Sequence, residues 1–476
     1  MTANRVVDNG TFLNNFAVAP FIGVNRLRLL TDQVQRRKYG LAPELPMPKL
    51  EDDAARAVNQ LRADWVSADI TVTTSADQTP LAPGYKVSDE TRDRRRIARF
   101  KTEAPVMHFF SIQSAAYETH ADKLGDIDLT VFSHPAHRYN VAAMLAAMKA
   151  SLDLYSRIFS PYQFHQARIA EVPYGDFAQS FANTIPFAEN LGFLVEHTDP
   201  EKIDTVTYAT AHEIGHQWWG HQIVPADMQG SNMLTETFAQ YSALLTMEKL
   251  YGKAQIRKFL KYELDNYLRG RSRDLASEQP LVRVENQPYI HYRKGAVVMY
   301  FLKEELGEDT VDRALRRLLA DYAFKPAPYP SSRDFVRYLR EEAGPAHDQL
   351  ITDLFERIML YEIKTGKCSA APQPDGKFDV TIEVEAHKYY ADGRGKETEA
   401  PLAEDFDVGL FDIEPGKAGF GDQAIVLATR RPIVSGKQVL SLVADHAPKF
   451  AGVDPYNERI TRNSDTVIGR VEVRAE

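Results

Sequence analysis

The chain has 476 residues, 44% of them apolar, and a formal net charge of −9 from 57 basic and 66 acidic side chains. That length is enough for about three domains with their own cores, and an acidic balance of interspersed charge gives no electrostatic footing for nucleic acid. One cysteine, Cys368, excludes an internal disulfide; no run of about 18 uninterrupted apolar residues is present to span a bilayer, and Asp8, Asn9, Asn14 and Asn15 around a short apolar patch do not make a secretory signal.

Residues 1–60 read as a linker with short helices. Phe12–Gly23 suits a loop or strand, Arg26–Arg37 a charged helix ending before Gly40, and Asp52–Leu61 another short helix. From 61 to 134 the pattern turns to strands: Ile70–Thr74, Ala104–Ile112 and Asp128–Phe132 alternate or are rich in branched and aromatic residues, with turn chemistry at Pro80, Pro83-Gly84 and Gly125. This stretch is expected to be a partial N-terminal β-sheet domain. Its basic run Arg94–Phe100 adjoins Asp89, Glu90 and Asp93, so a solvated strand edge is expected there.

Residues 135–362 mix strands with helices, which suits an α+β domain. Val141–Phe159 carries Met144, Leu145, Met148, Leu152, Leu154 and Tyr155 towards a core, Gln166–Glu171 reads as a strand, and Val206–Trp219 as a helix. The loop His221–Asn232, with Pro225, Gly230 and Ser231, leads to a second helix that places Leu234, Phe238, Tyr241 and Leu245 on one face. Ala254–Leu268, Ala296–Leu306, Thr310–Tyr322, Ser332–Glu342 and His347–Leu360 give further helices. After Gly366 the period becomes two, in Phe378–Glu385, Asp407–Phe411, Gln423–Ala428, Gln438–Val443 and Val467–Val473, with a long exposed hairpin between Ala391 and Asp405. Residues 367–476 are therefore expected to form a β-sandwich.

The chemistry concentrates in Thr210–Gly220, which holds His-Glu-x-x-His at His212, Glu213 and His216. On a helix, residues four apart lie about 40° apart around the axis and one turn apart along it, so both imidazoles can reach one ion. Glu213, about 100° round from His212, is left free to act as a base on a zinc-activated water. A catalytic zinc takes three protein ligands and keeps one position open. Glu236, at the start of the following helix, is the carboxylate that the hairpin would return to the histidine pair. Asp227 in the loop is a rival third ligand, and His221 reads as structural support.

These residues resemble a known family. His212-Glu-Ile-Gly-His-Gln-Trp-Trp-Gly220 followed by Leu234-Thr-Glu-Thr-Phe-Ala239 looks like the zinc site of the gluzincin aminopeptidases, the family of membrane alanyl aminopeptidase and leukotriene hydrolase. One residue more than in the family separates His216 from Glu236, and it is assigned to the loop. Upstream, Thr184-Ile-Pro-Phe-Ala-Glu-Asn-Leu-Gly192 resembles the family's Gly-x-Met-Glu-Asn edge strand, with Pro186 and Ala188 in place of the glycine and methionine. The resemblance implies that Glu189, with Asn190, binds the substrate's free amino group, a charge-assisted contact that would restrict cutting to a terminus. Ile290–Tyr300 is similar to the family's Tyr-x-Lys-Gly segment, which implies Tyr292 as oxyanion donor, with Tyr289 as the fallback.

The resemblance implies a thermolysin-like catalytic domain over residues 135–362 and an immunoglobulin-like sandwich after it, with zinc as cofactor and a peptide as substrate. The large helical domain of many relatives has no counterpart here. Residues 1–60 resemble the linker in bacterial proteins that fuse an ABC-type permease to such a peptidase, so a permease partner and membrane association are implied; a cytoplasmic location is the alternative. The expected activity is that of an aminopeptidase. A zinc endopeptidase and a non-catalytic peptide-binding module of a transport complex are the other two readings.

Overall fold

A computed structural model of the chain describes residues 5–18, 30, 32–41, 47–173, 175, 177–199 and 201–474. It has a multidomain α+β architecture, with N-terminal sheets, a helical middle and a curled C-terminal sheet. Two compact units divide it: Met1–His197, Thr205–Ser231 and Asp321–Ser331 make the first, and Thr198–Asp204, Asn232–Ala320 and Ser332–Glu476 the second. Part of the expected helix Arg26–Arg37, residues 26–29 and 31, lies outside the described residues; Gln33–Lys38 is helical, and Asp53–Ala57 forms a single short turn in place of the longer Asp52–Leu61 helix.

In the first unit, the sheet that matters for chemistry runs Glu118–Leu124, Ile127–Ser133, Gln166–Val172, Thr184–Ala188. Its first pair is antiparallel, joined by a tight turn, and the other two pairings are parallel. Parallel neighbours need a crossover, which the helix Val141–Ile158 supplies between the second and third strands. Burial follows the same logic: Gln166–Val172 and Thr184–Ala188 are buried on both faces, whereas Glu118–Leu124 is largely solvated. Pro186, which has no N–H to give, sits in the edge strand of this sheet.

Two strand expectations change. Arg95–Lys101 is the middle strand of a three-stranded sheet rather than an edge. Two of its three arginines pair across to Asp89 and Asp69, at 2.7 Å from Arg96 and 2.6 Å from Arg99, so much of the charge is solvated but internally matched. Ala104–Ile112 breaks into Val106–Met107 and Ser111–Ala115. The interruption is set by Asn15, whose side chain accepts the N–H of Phe110 at 2.9 Å and donates to the carbonyl of His108 at 3.1 Å, replacing ladder bonds.

In the second unit, Phe238–Tyr251 and Gly295–Leu306 are buried on most sides and form the centre of the helical part. Ile256–Arg273, Glu308–Tyr322 and Ser332–Ala343 each bury one apolar stripe. The expected helix His347–Leu360 is shorter: helical turns cover Asp348–Ile351 and Thr352–Glu356, and at Ile358 a 15-residue strand begins. That strand, Ile358–Pro372, pairs antiparallel with Phe378–Ala391 and parallel with Ile468–Val473, in an eight-stranded sheet whose path runs through seven strands while the eighth, Gly436–Ala444, branches off Phe378–Ala391. The loop after Phe450–Val453 is almost wholly buried: Asp454 accepts the N–H groups of Glu458 and Arg459, and Arg459 lays its guanidinium 3.8 Å from the ring centre of Phe406.

Among the described residues no helix is long and apolar enough to cross a membrane.

Candidate functional site

The helix Thr205–Gly215 is buried at nearly every position after Thr205, because it lies inside the first unit rather than on its surface. The crossover helix holds it through Tyr155, whose hydroxyl donates to the carbonyl of Ala211 at 3.1 Å. The helix was expected to run to Trp219 but ends at Gly215. His216 still donates its backbone N–H to His212 at 3.2 Å, and the chain then tightens, Trp218 and Trp219 both reaching back to Gly215. The two indoles are fully buried, and Trp218 donates to Ser160.

This turn sets the histidine chemistry. Trp219's carbonyl lies 2.9 Å from His216 Nδ1, and a carbonyl can only accept, so the proton sits on Nδ1. Nε2 of His216 is then an acceptor, and it faces His212 Nε2 at 3.0 Å. Two nitrogens on a tetrahedral zinc with bonds of about 2.0–2.1 Å stand about 3.3 Å apart, and a metal-binding imidazole that gives its other N–H to a carbonyl is the usual supporting contact. The pair fits a zinc ion. Glu213 is buried on the same helix. Gln217 anchors the helix end to the hairpin before the edge strand, donating to Ser180 and Phe181 and accepting from Asn183 at 2.9 Å.

Of the rivals in this unit, Asp227 is paired with Arg62 at 2.6 Å. His221 is buried with Nε2 3.1 Å from the carbonyl of Ser180, and burial pushes its pKa down to about 4. It is a neutral structural group. The segment expected to anchor the substrate amine is a strand only as far as Ala188; Glu189 opens the five-residue π-helical turn Glu189–Phe193, with Glu189 half-buried and Asn190 exposed. That turn packs against the histidine helix.

Sequence reasoning missed the neighbours of Glu189. Parallel pairing sets Phe132 beside Ala170, so Glu171, the next residue of its strand, meets the segment that follows Ser133. His137 Nδ1 lies 2.5 Å from Glu171 Oε1, and Glu171 Oε2 accepts the backbone N–H of His134 at 2.6 Å. Burial raises the Glu171 pKa, against the pull of those two contacts. Glu189 offers a donor atom within 4.8 Å of both His137 and Glu171. The signal in the sequence was the His-x-x-His spacing at His134 and His137, straight after a strand.

In the second unit Glu236 lies, half-buried, in the π-helical turn Met233–Thr237 that opens the buried helix. Thr237 Oγ1 donates to the carbonyl of His291 at 2.5 Å, which ties this turn to a second one, Tyr289–Lys294. The two approach closely because Gly295 has no side chain: a Cβ there would run into Thr237. Tyr292 is half-buried in the second turn, while Tyr289 is buried and within 3.2 Å of Gln287. Flanking Tyr292, burial keeps the His291 pKa down at about 4. Arg293 bonds Glu263 at 3.1 Å, and the fully buried Lys294 reaches Glu278 at 3.3 Å. Burial works against ionised Glu278, yet Lys294, Tyr267 and Arg271 together hold its carboxyl below the usual range.

Residues 145–357 match the model of the peptidase family M1 domain. Among curated proteins, the chain is similar to "Probable aminopeptidase 2" of Sulfurisphaera tokodaii, 22% identical over 318 residues that make up 64% of this chain and 39% of that protein. It is similar to "Tricorn protease-interacting factor F2" of Thermoplasma volcanium, 22% identical over 324 residues, 66% of this chain and 39% of the relative. "Endoplasmic reticulum aminopeptidase 2" of Homo sapiens is 24% identical over 220 residues, 42% of this chain and 22% of the relative. The chain thus spans at most about two fifths of the length of these relatives.

Proposed function

We propose that the chain is a zinc-dependent metallopeptidase that works as an aminopeptidase, releasing the first residue of a peptide. The observation that carries this reading is the imidazole pair, Nε2 to Nε2 3.0 Å apart and oriented by the Trp219 carbonyl, with Glu213 on the same helix. The match of residues 145–357 to the M1 peptidase domain supports it.

In this reading His212, His216 and Glu236 hold the ion. Zinc bound there would supply a Lewis acid that activates water and polarises the scissile carbonyl. Glu213 takes the proton of the attacking water and passes it to the leaving amine. Tyr292 donates a hydrogen bond to the oxygen that gains charge. Glu189 accepts from the substrate's terminal ammonium, with Asn190 beside it. Support for Glu236 comes from its turn, since a π-helical turn absorbs one residue more than an α turn and so has room for the surplus residue in the spacing. Support for Tyr292 comes from the buried bonds that fix its turn.

The thermolysin-like reading of the peptidase region and the immunoglobulin-like reading of the C-terminal strands belong to the same proposal. So does a permease partner; its support is confined to the resemblance of residues 1–60.

Glu213→Gln tests the mechanism. Zinc content by elemental analysis is expected to stay at the wild-type level while hydrolysis of a fluorogenic aminoacyl substrate falls by about 10²- to 10⁴-fold; undiminished hydrolysis would refute it. Acetylating the amino group of a peptide is expected to abolish its cleavage, and internal cutting of the acetylated peptide would favour the endopeptidase reading.

A further inference from the structure

A cavity of about 680 Å³ opens beside Glu189, within the first unit. Its polar wall carries Asp8, Glu171, Glu189, His134 and His137, and among the described residues none that line it is lysine or arginine. Glu171 is only 6% exposed, and its two oxygens are fixed by His137 and by the backbone of His134, so the carboxylate cannot swing away. Asp8, Glu171 and Glu189 give that side three carboxyl groups among the described residues. Val7, Phe12, Val172 and Pro173 give the cavity an apolar wall as well.

An ammonium on Glu189 would fill a small part of this volume, since a water-sized group takes up about 30 Å³. The remaining space would be open to the first side chain of the substrate, which branches one carbon away from that ammonium. A leucine or alanine there would face the fixed carboxyl group of Glu171 with nothing to offer it. A lysine or arginine would lay its methylene stem along the apolar wall and set its charged head against Glu171 and Asp8. We propose that this cavity receives the first side chain of the substrate and selects lysine or arginine. The inference rests on the aminopeptidase reading, and specifically on the contact of Glu189 with the substrate amine.

The test compares arginyl, lysyl, citrullyl and leucyl coumarylamides on the intact chain, citrulline having nearly the shape of arginine without its charge. The arginyl and lysyl substrates are expected to exceed the other two at least about tenfold in kcat/KM, as a charge-assisted contact implies. The arginyl-to-citrullyl ratio is expected to fall towards one in Glu171→Gln and to fall in Asp8→Asn. Equal or better turnover of the citrullyl or leucyl compound by the wild-type chain overturns the inference and leaves the aminopeptidase reading standing. Calorimetry with argininamide and citrullinamide separates the converse: arginine-selective binding without cleavage of any aminoacyl substrate sinks the reading and keeps the cavity, while binding without preference overturns the inference.

Discussion

The buried carboxylate of Glu278 gives a quantitative handle on the turn that carries Tyr292. It receives Tyr267 at 2.6 Å, Arg271 at 2.7 Å and Lys294 at 3.3 Å. Glu278→Gln keeps the shape but leaves the Lys294 ammonium, 1% exposed, without its counter-charge. Removing one partner of a buried ion pair costs about 3–5 kcal/mol. A second argument caps the loss: Lys294 can shed its proton, and from an ordinary lysine value of 10.5 that costs about 5 kcal/mol at neutral pH. We therefore expect Glu278→Gln to destabilise the second unit by about 3–5 kcal/mol in urea unfolding. Adding Lys294→Met should restore a large part, because the orphaned charge goes with it. The pH dependence has a definite sign. In the variant, Lys294 holds its proton less tightly folded than unfolded, so stability is regained as pH rises from neutral towards 10.5. In the wild type, Glu278 has a folded pKa below 4.5, so its contribution is present above that value and lost as pH falls through the folded pKa. A Glu278→Gln protein within about 1 kcal/mol of wild type, with flat pH dependence between neutral and 10.5, would refute the reasoning.

The site yields further expected outcomes. Tyr292→Phe is expected to lower kcat by about 10²- to 10³-fold with KM little changed, read in steady-state kinetics; an equal loss from Tyr289→Phe would move the role to that residue. His216→Ala should lose the metal on dialysis as well as the activity, since it removes one of two nitrogens that stand 3.0 Å apart; elemental analysis checks it. Gly295→Ala is expected to cost about 1–3 kcal/mol by crowding Thr237, measured by thermal unfolding, with Ala296→Gly as a neighbouring control.

Periodicity made the histidine helix readable, because its chemistry and its packing both repeat every turn and lie within a dozen residues. The breaks in expectation have a common physical source in contacts far along the chain. Arg94–Phe100 carries the composition of an edge, but strand order is decided by which neighbours flank it, and Asp69 and Asp89 on both sides make it central. Ala104–Ile112 reads as continuous because nothing local announces that Asn15 will claim two of its backbone groups. His347–Leu360 satisfies a helical pattern until Ile358, where pairing with Ala391 wins. The π-helical turns at Glu189, Glu236 and Tyr292 leave no compositional mark. His137 and Glu171 are 34 residues apart and meet through a parallel pairing that no single segment encodes.

Arg257 shows what this architecture asks of the chain during synthesis. It is buried, and its guanidinium is received by Asn457 and Ser464, about 200 positions later. At about 5–20 residues per second, a ribosome needs roughly 10–40 s to deliver those acceptors. Throughout that interval the helix Ile256–Arg273 carries Arg257 and Lys261 without the acceptors that receive them in the finished fold. Nascent chains of this protein should therefore engage a holding chaperone until the last loop emerges, and arrested chains ending before residue 455 should aggregate.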